Sequence, residues 1–284
     1  MGSAAQKLRD LLNGHEHFIA ADAYSALTAR IVERVGFKAA YLGGHACGAF
    51  HYALPDIGIL SQVEQIEQAA RIAAAIDIPL IADADSLGET VADAFHFTRR
   101  YERAGIAGIH VEDEVNPKHS SFVNGLLPIA EMQAKLHACV KARRDPAFVI
   151  IARCDELYPV AYGGGGGGSV EAAVKRGRAY VEAGADALIF PLVTPEVGAG
   201  LVDAIPVPLF VLGLPFAGAR CTLHTGWGWT GAAQLHLTRA KELFETGSIA
   251  SLEFSVDGKD ALIENDLYAE LIADWAKKTG RTVR

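Results

Sequence analysis

Three carboxylates stand where short apolar runs end. Asp83 and Asp85 follow Pro79-Leu80-Ile81-Ala82, and Glu112 follows Gly108-Ile109-His110-Val111. Asp83 and Asp85 are two residues apart, so on an extended chain they point the same way. Carboxylates that close repel unless positive charge neutralises them. Oxygen ligands with no His or Cys at matching spacing favour a hard ion, Mg²⁺ or Mn²⁺. Each acid alone could simply cap a following helix; the three together point to metal chemistry. Arg153 ends a fourth apolar run, Val149-Ile150-Ile151-Ala152. A guanidinium is seldom placed there without a partner. Its fork suits a substrate carboxylate or phosphonate, or an ion pair with Glu112 or Asp155 that holds the site together.

The elements that must position these groups alternate regularly. Candidate strands are Phe18–Ala21, Ala39–Leu42, Pro79–Ala82, Gly108–Val111, Val149–Ala152, Ala187–Phe190 and Leu209–Leu212, with Arg220–His224 as an eighth. Between them Ser25–Val35, Ser61–Ala75, Thr90–Ala104, Ile129–Arg143, Ser169–Ala183 and Pro195–Ala204 carry apolar residues at three- and four-residue steps. Gly36, Gly105 and Gly184 stand where a left-handed residue ends a helix. Repeated units of this kind mean a parallel sheet with right-handed crossovers, and seven in one chain favour closure into a (β/α)₈ TIM barrel over an open sheet. Active sites of such barrels form at the C-terminal strand ends, which is where the acids lie. Gly231–Phe244 is read as the eighth helix and Leu262–Lys278 as a further amphipathic one. Residues 1–284 are expected to form one barrel domain, with 245–284 as a helical extension. Gly163–Gly168, six glycines in a row, can only be loop.

A chain of 284 residues, half of them hydrophobic, can fill a barrel core. The net charge of −8 comes without a Lys/Arg stripe, which argues against nucleic acid. No apolar stretch reaches the roughly 18 residues that span a bilayer, and residues 1–14 lack a secretory apolar run. Cys47, Cys139, Cys154 and Cys221 are widely spaced and read as reduced, buried thiols. A cytoplasmic protein is expected.

The motifs Leu54-Pro55-Asp56, Asp83-Ala84-Asp85, Val111-Glu112-Asp113 with Pro117-Lys118, Ala152-Arg153 and the run from Arg176 to Phe190 together resemble the phosphoenolpyruvate mutase/isocitrate lyase superfamily. The likeness extends over roughly residues 5–192. It implies a barrel whose late helix is exchanged between subunits of a homo-oligomer, a dimer or tetramer. It implies Mg²⁺ held by Asp83 directly and by Asp85, Glu112 and Asp56 largely through water. The substrate would be a small 2-oxo or 2-hydroxy acid that passes through an enolate. Backbone N–H groups of the Tyr41-Leu42-Gly43-Gly44 turn would hold its carboxylate, and Arg153 would contact it. The loop around Asn116–Gly125 would gate the site, with Lys118 near the reacting centre.

The gate departs from both branches of the superfamily. The lyase branch carries Lys-x-Cys-Gly-His, and here Ser120 takes the place of the Cys. The phosphonate branch carries Lys-Thr-Asn-Ser; Lys118 and Ser121 match, but His119 and Ser120 replace the middle pair. His119 could replace the missing acid, since imidazole exchanges protons near neutral pH; alternatively it is a solvated loop residue. His45 and His224 are weaker candidates. Leu192 stands where a Glu usually follows Phe190-Pro191, Gly213-Leu214 replaces an Asn/Thr pair, and Gly226-Trp227-Gly228-Trp229 has no counterpart. The leading expectation is a Mg²⁺-dependent lyase or decarboxylase that breaks a C–C bond. The alternatives are a phosphonopyruvate hydrolase or mutase, and a barrel that binds an organic acid without turning it over.

Overall fold

A computed structural model describes residues 2–119, 125–159, 168–249 and 258–282. Eight parallel strands close into a barrel in sequence order, β1 pairing with β8. They are β1 Phe18–Asp22, β2 Ala39–Leu42, β3 Leu80–Asp83, β4 Gly108–Glu112, β5 Val149–Arg153, β6 Ala187–Pro191, β7 Leu209–Leu212 and β8 Cys221–His224. The helices of the barrel are α1 Ala4–Asn13, α2 Ala26–Val35, α3 Gly44–Tyr52, α4 Gln62–Ala73, α5 Val91–Arg103, α6 Ile129–Ala142, α7 Val170–Glu182 and α8 Pro195–Ala204. The (β/α)₈ architecture is therefore the one expected.

The helices begin and end for local reasons. Ser25, Ser61 and Thr90 cap α2, α4 and α5, each in a reciprocal box with the residue three ahead. Gly36, Gly105 and Gly184 adopt the left-handed conformation that ends a helix.

Two apolar layers hold the barrel together. The inner one joins alternate strand residues, among them Phe18, Ile81, Ile151, Ile189 and Phe210, with Leu8 and Leu12 of α1. The outer one packs Leu80, Ile109, Ile150 and Leu188 against the helices. Strand residues thus alternate between the barrel interior and the helical shell. Asp83 continues the inward row of Ile81, and Arg153 that of Ile151, so polar groups of inward parity come together where the strands end.

By compactness the chain divides into residues 1–230 and 231–284. The second unit holds most of α9 Trp227–Thr246, together with α10 Lys259–Leu262 and α11 Asn265–Thr279. In that unit Leu243, Phe244, Leu271 and Trp275 are exposed, Phe244 to 92%. Among the described residues no helix is long and apolar enough to cross a membrane.

Candidate active site

Strand register builds the centre of the site. β3 sets Asp83 beside His110, and β4 sets Glu112 beside Arg153. Asp83, Asp85 and Glu112 each offer an oxygen, and the three lie within 4.8 Å of one another, all buried. Asp85 follows the strand with φ of +47°, a region that Asp tolerates better than most residues. Its backbone N–H donates to Asp83 Oδ1 at 2.9 Å. The Gly44 N–H, at the start of α3, donates to Asp83 Oδ2 at 2.9 Å. A Cβ at Gly44 would stand 3.0 Å from both Asp83 Oδ2 and Asp85 Oδ1, so any side chain there would have to push the acids back by a few tenths of an ångström. Gln65 donates to Asp85 Oδ2 at 2.5 Å.

Two cations share these acids. Lys118 Nζ lies 2.5 Å from Asp85, 3.1 Å from Asp56 and 3.2 Å from Glu112 Oε1. Arg153 reaches Glu112 Oε2 and Asp155 Oδ1, each at 2.9 Å. Four carboxylates (Asp56, Asp83, Asp85 and Glu112) thus face one ammonium and one guanidinium. Burial, only partly offset by Lys118, pushes the Asp85 and Glu112 carboxyls up. Asp83 is held low: His110, Lys118 and Arg153 outweigh its burial. Both Glu112 oxygens are buried and, among the described residues, find no well-aligned hydrogen-bond donor. An oxygen-only donor set with surplus negative charge fits a hard divalent cation, and Asp83, Asp85 and Glu112 are the residues that could hold it.

His119 stands beside this cluster, also with a left-handed backbone at φ +51°. Its side chain is 13% exposed, and its Nε2 lies 3.0 Å from Glu114 and its Nδ1 3.6 Å from Asp56. Burial opposes its charge, but the neighbouring Asp56 and Glu114 carboxylates outweigh this and raise its pKa to about 10. It is thus not a solvated loop residue. Its ring leans on Tyr158, which also lies under the Arg153 guanidinium. Asp113 accepts from the Asp155 N–H at 2.9 Å and the Tyr180 hydroxyl at 2.6 Å, and pins the end of β5. Asp155 in turn orients Arg153. Glu114 was visible in the sequence as the third acid of Glu112-Asp113-Glu114; Tyr158 gave no signal.

A cavity of about 460 Å³ opens over the acids. Of the residues singled out from the sequence, Tyr41, Gly43, Gly44, Asp56, Asp83, His119 and Arg153 line it. Asp85, Glu112 and Lys118 sit behind them, joined through their ion pairs. His45 also lines it, with its ring 5.0 Å from that of Trp229 in the first turn of α9. His224 faces a neighbouring hollow instead. Tyr41 directs its hydroxyl to His110 Nε2 at 2.9 Å. Ser120 and Ser121 lie outside the described residues, as do Gly163–Gly167. The four cysteines are buried and free, and burial pushes the Cys47 thiol up to about 12.

Residues 8–225 match the phosphoenolpyruvate phosphomutase family. The chain belongs to the phosphoenolpyruvate mutase/isocitrate lyase superfamily. It is 36% identical over 196 residues to 2,3-dimethylmalate lyase of Eubacterium barkeri, covering 68% of this chain and 64% of that one. It is 37% identical over 188 residues to phosphonopyruvate hydrolase of Variovorax sp. (strain Pal2), covering 65% and 62%. In both cases the match spans less than two thirds of the relative's length. Among solved structures, a phosphonopyruvate hydrolase complexed with oxalate and Mg²⁺ superimposes with a TM-score of 0.83, at 28% identity over 96% of this chain and 99% of that one. Oxaloacetate acetylhydrolase with 3,3-difluorooxalacetate gives 0.82 at 26% identity over 99% of each. Members of the superfamily thus include lyases and hydrolases of small organic acids.

Proposed function

We propose that this chain is a Mg²⁺-dependent lyase that breaks a C–C bond of a small 2-oxo or 2-hydroxy acid by way of an enolate, with Mn²⁺ able to substitute. The observation that carries this reading is the buried set Asp83, Asp85 and Glu112 at the floor of a cavity that also presents Arg153 and His119. The cation held by the three acids would supply the positive charge that a developing enolate needs.

The chain's own residues have distinct parts. Arg153 commits Nη1 to Glu112 and Nε to Asp155, and its Nη2 lies 3.5 Å from His119 Nε2, so the guanidinium and the imidazole together face the cavity where a substrate carboxylate would sit. Gly43 and Gly44 bring the N-terminus of α3 to the same cavity, where its dipole favours an anion. Asp56 and Lys118 tie the loop after β4 down over the acids. His119 is an imidazolium at neutral pH, so it acts as an acid and not as a base. Its Nδ1–H, held only loosely at 3.6 Å from Asp56, is the proton it gives to the enolate carbon once the C–C bond has broken. Ser121 is proposed to join Lys118 and His119 on that loop.

The runner-up is cleavage of a P–C bond, favoured by the likeness to phosphonopyruvate hydrolase in sequence and in fold. The exposed Leu271 and Trp275 of α11 support a homo-oligomer, and we place the enzyme in the cytoplasm. The test is pyruvate release from oxaloacetate, methylisocitrate, dimethylmalate or phosphonopyruvate, followed through lactate dehydrogenase with Mg²⁺ and with chelator. Chelator-sensitive release from a carboxylic acid supports the lyase, and release from phosphonopyruvate alone promotes the runner-up. Metal-dependent binding without product would mean a barrel that binds an organic acid and does not turn it over.

A further inference from the structure

A second hollow, of about 550 Å³, adjoins the cavity over the acids and shares Leu212 and Thr225 with it. Its other large side chains are Leu192, Val193, Leu214 and Leu223. Among the described residues that line it there is no Lys, Arg, Asp or Glu, and the one ionisable side chain is the exposed His224. The two halves of the barrel mouth therefore differ sharply in chemistry. One gathers fixed charges, and the other presents leucines to solvent.

The leucine wall is held in place. Leu192 follows β6 in a left-handed conformation, φ +54°, unusual for a γ-branched residue. Its N–H nevertheless donates to the Leu212 carbonyl at 2.8 Å, so the strand pairing keeps it there. Its side chain is left 38% exposed and that of Leu214 70% exposed, both facing the hollow. Apolar surface at the wall of a pocket gains when a ligand's apolar part removes it from water.

Resting on the oxo-acid reading of the charged half, we infer that the far end of the substrate is an uncharged alkyl group that lies against Leu192, Leu212 and Leu214, and not a further carboxylate. A second carboxylate placed there would shed its hydration with no cation among the described residues to replace it. An alkyl branch would do the reverse. The acid cluster therefore selects the oxo-acid head, and the leucine wall selects the tail.

The test uses oxamates, which keep the carboxylate and adjacent carbonyl of a 2-oxo acid but resist cleavage. The Mg²⁺-loaded protein is titrated by calorimetry with N-methyl, N-propyl, N-isopentyl and N-(2-carboxyethyl) oxamate. Affinity is expected to rise roughly fourfold per added methylene from methyl to propyl. The carboxyethyl compound should bind at least about a hundredfold more weakly than the isopentyl one of the same shape. Leu214→Arg, which adds a cation at an exposed position, should bring the carboxyethyl compound to parity or better. Affinity that ignores tail length, or a carboxyethyl compound that binds the natural protein as tightly as its isostere, overturns the inference while the oxo-acid reading stands. Failure of every oxamate to bind, with or without Mg²⁺, removes that reading and this inference with it.

Discussion

Arg153→Met tests whether the site is held together by charge pairing. Arg153 is 5% exposed and bonds Glu112 and Asp155, both fully buried, at 2.9 Å each. Methionine fills a similar volume but leaves Glu112 with Lys118 alone and strips Asp155 Oδ1 of its donor; Asp155 Oδ2 already lacks one. Removing one partner of a buried pair costs about 3–5 kcal/mol. Burial already raises Asp155 to about 8, against the pull of Arg153, so at neutral pH it is largely neutral and limits the loss. The lower figure, about 3 kcal/mol, is therefore expected. At about 2–4 °C per kcal/mol for a chain of this size, the melting temperature should fall by roughly 6–12 °C. Calorimetry in chelator isolates the effect from metal binding. Because the cost lies in an uncompensated Glu112, adding Glu112→Gln should recover at least about half of it. A single variant within about 2 °C of the parent, or a double variant less stable than the single, would show that these contacts do not govern the stability of the barrel mouth.

Other perturbations address the chemistry directly. His119→Asn should lower kcat by about 10²–10⁴-fold. It should also remove a descending limb of the pH–rate profile near pH 10, because the acid form is lost as pH rises through the pKa of about 10; undiminished turnover would end its role as acid. Gly44→Ala puts a methyl 3.0 Å from Asp83 and Asp85 and should weaken Mg²⁺ binding about tenfold or more in a calorimetric titration, at a cost of about 1–3 kcal/mol in strain. Unchanged affinity would place the metal elsewhere. Asp155→Asn should flatten the stability profile. In the folded protein Asp155 keeps its proton up to about pH 8, but the unfolded chain loses it near 4, so its contribution declines as pH rises across that window by up to one proton's slope. Denaturant midpoints at pH 5 and pH 8 measure this, and a variant with the parent's slope would disprove it.

The strands were legible because they are buried on both faces, and such strands appear as unbroken apolar runs. β4 was expected over Gly108–Val111 and spans Gly108–Glu112. Helices such as α4 and α5 carried both their apolar period and their capping residues within a few positions. Three elements escaped, one of them the four-residue α10 Lys259–Leu262. α1 lies before the first strand and was taken only for its lack of an apolar run. α3, GHACGAFHY, contains two glycines and no apolar period, yet its start brings Gly44 against Asp83.

The same divide runs through the site. Asp83 and Arg153 were legible from their places at the ends of buried runs; Asp85, expected to point the same way as Asp83 on an extended chain, instead lies past β3 with φ of +47° and meets Asp83 through a tight turn. What those acids meet was not local. Lys118 reaches Asp56, Asp85 and Glu112 from a loop whose course depends on how the ends of β2, β3 and β4 pack together. His119 looks like a solvated histidine until the fold brings Asp56 and Glu114 to its two nitrogens. The leucine wall joins residues after β6 and β7 that are some twenty positions apart, and no periodicity links them. The sequence alone determined the barrel and the row of acids at its mouth, since both follow from backbone periodicity and burial. Only the tertiary structure decided which cation answers which acid, because those energies depend on distances between segments remote in the chain.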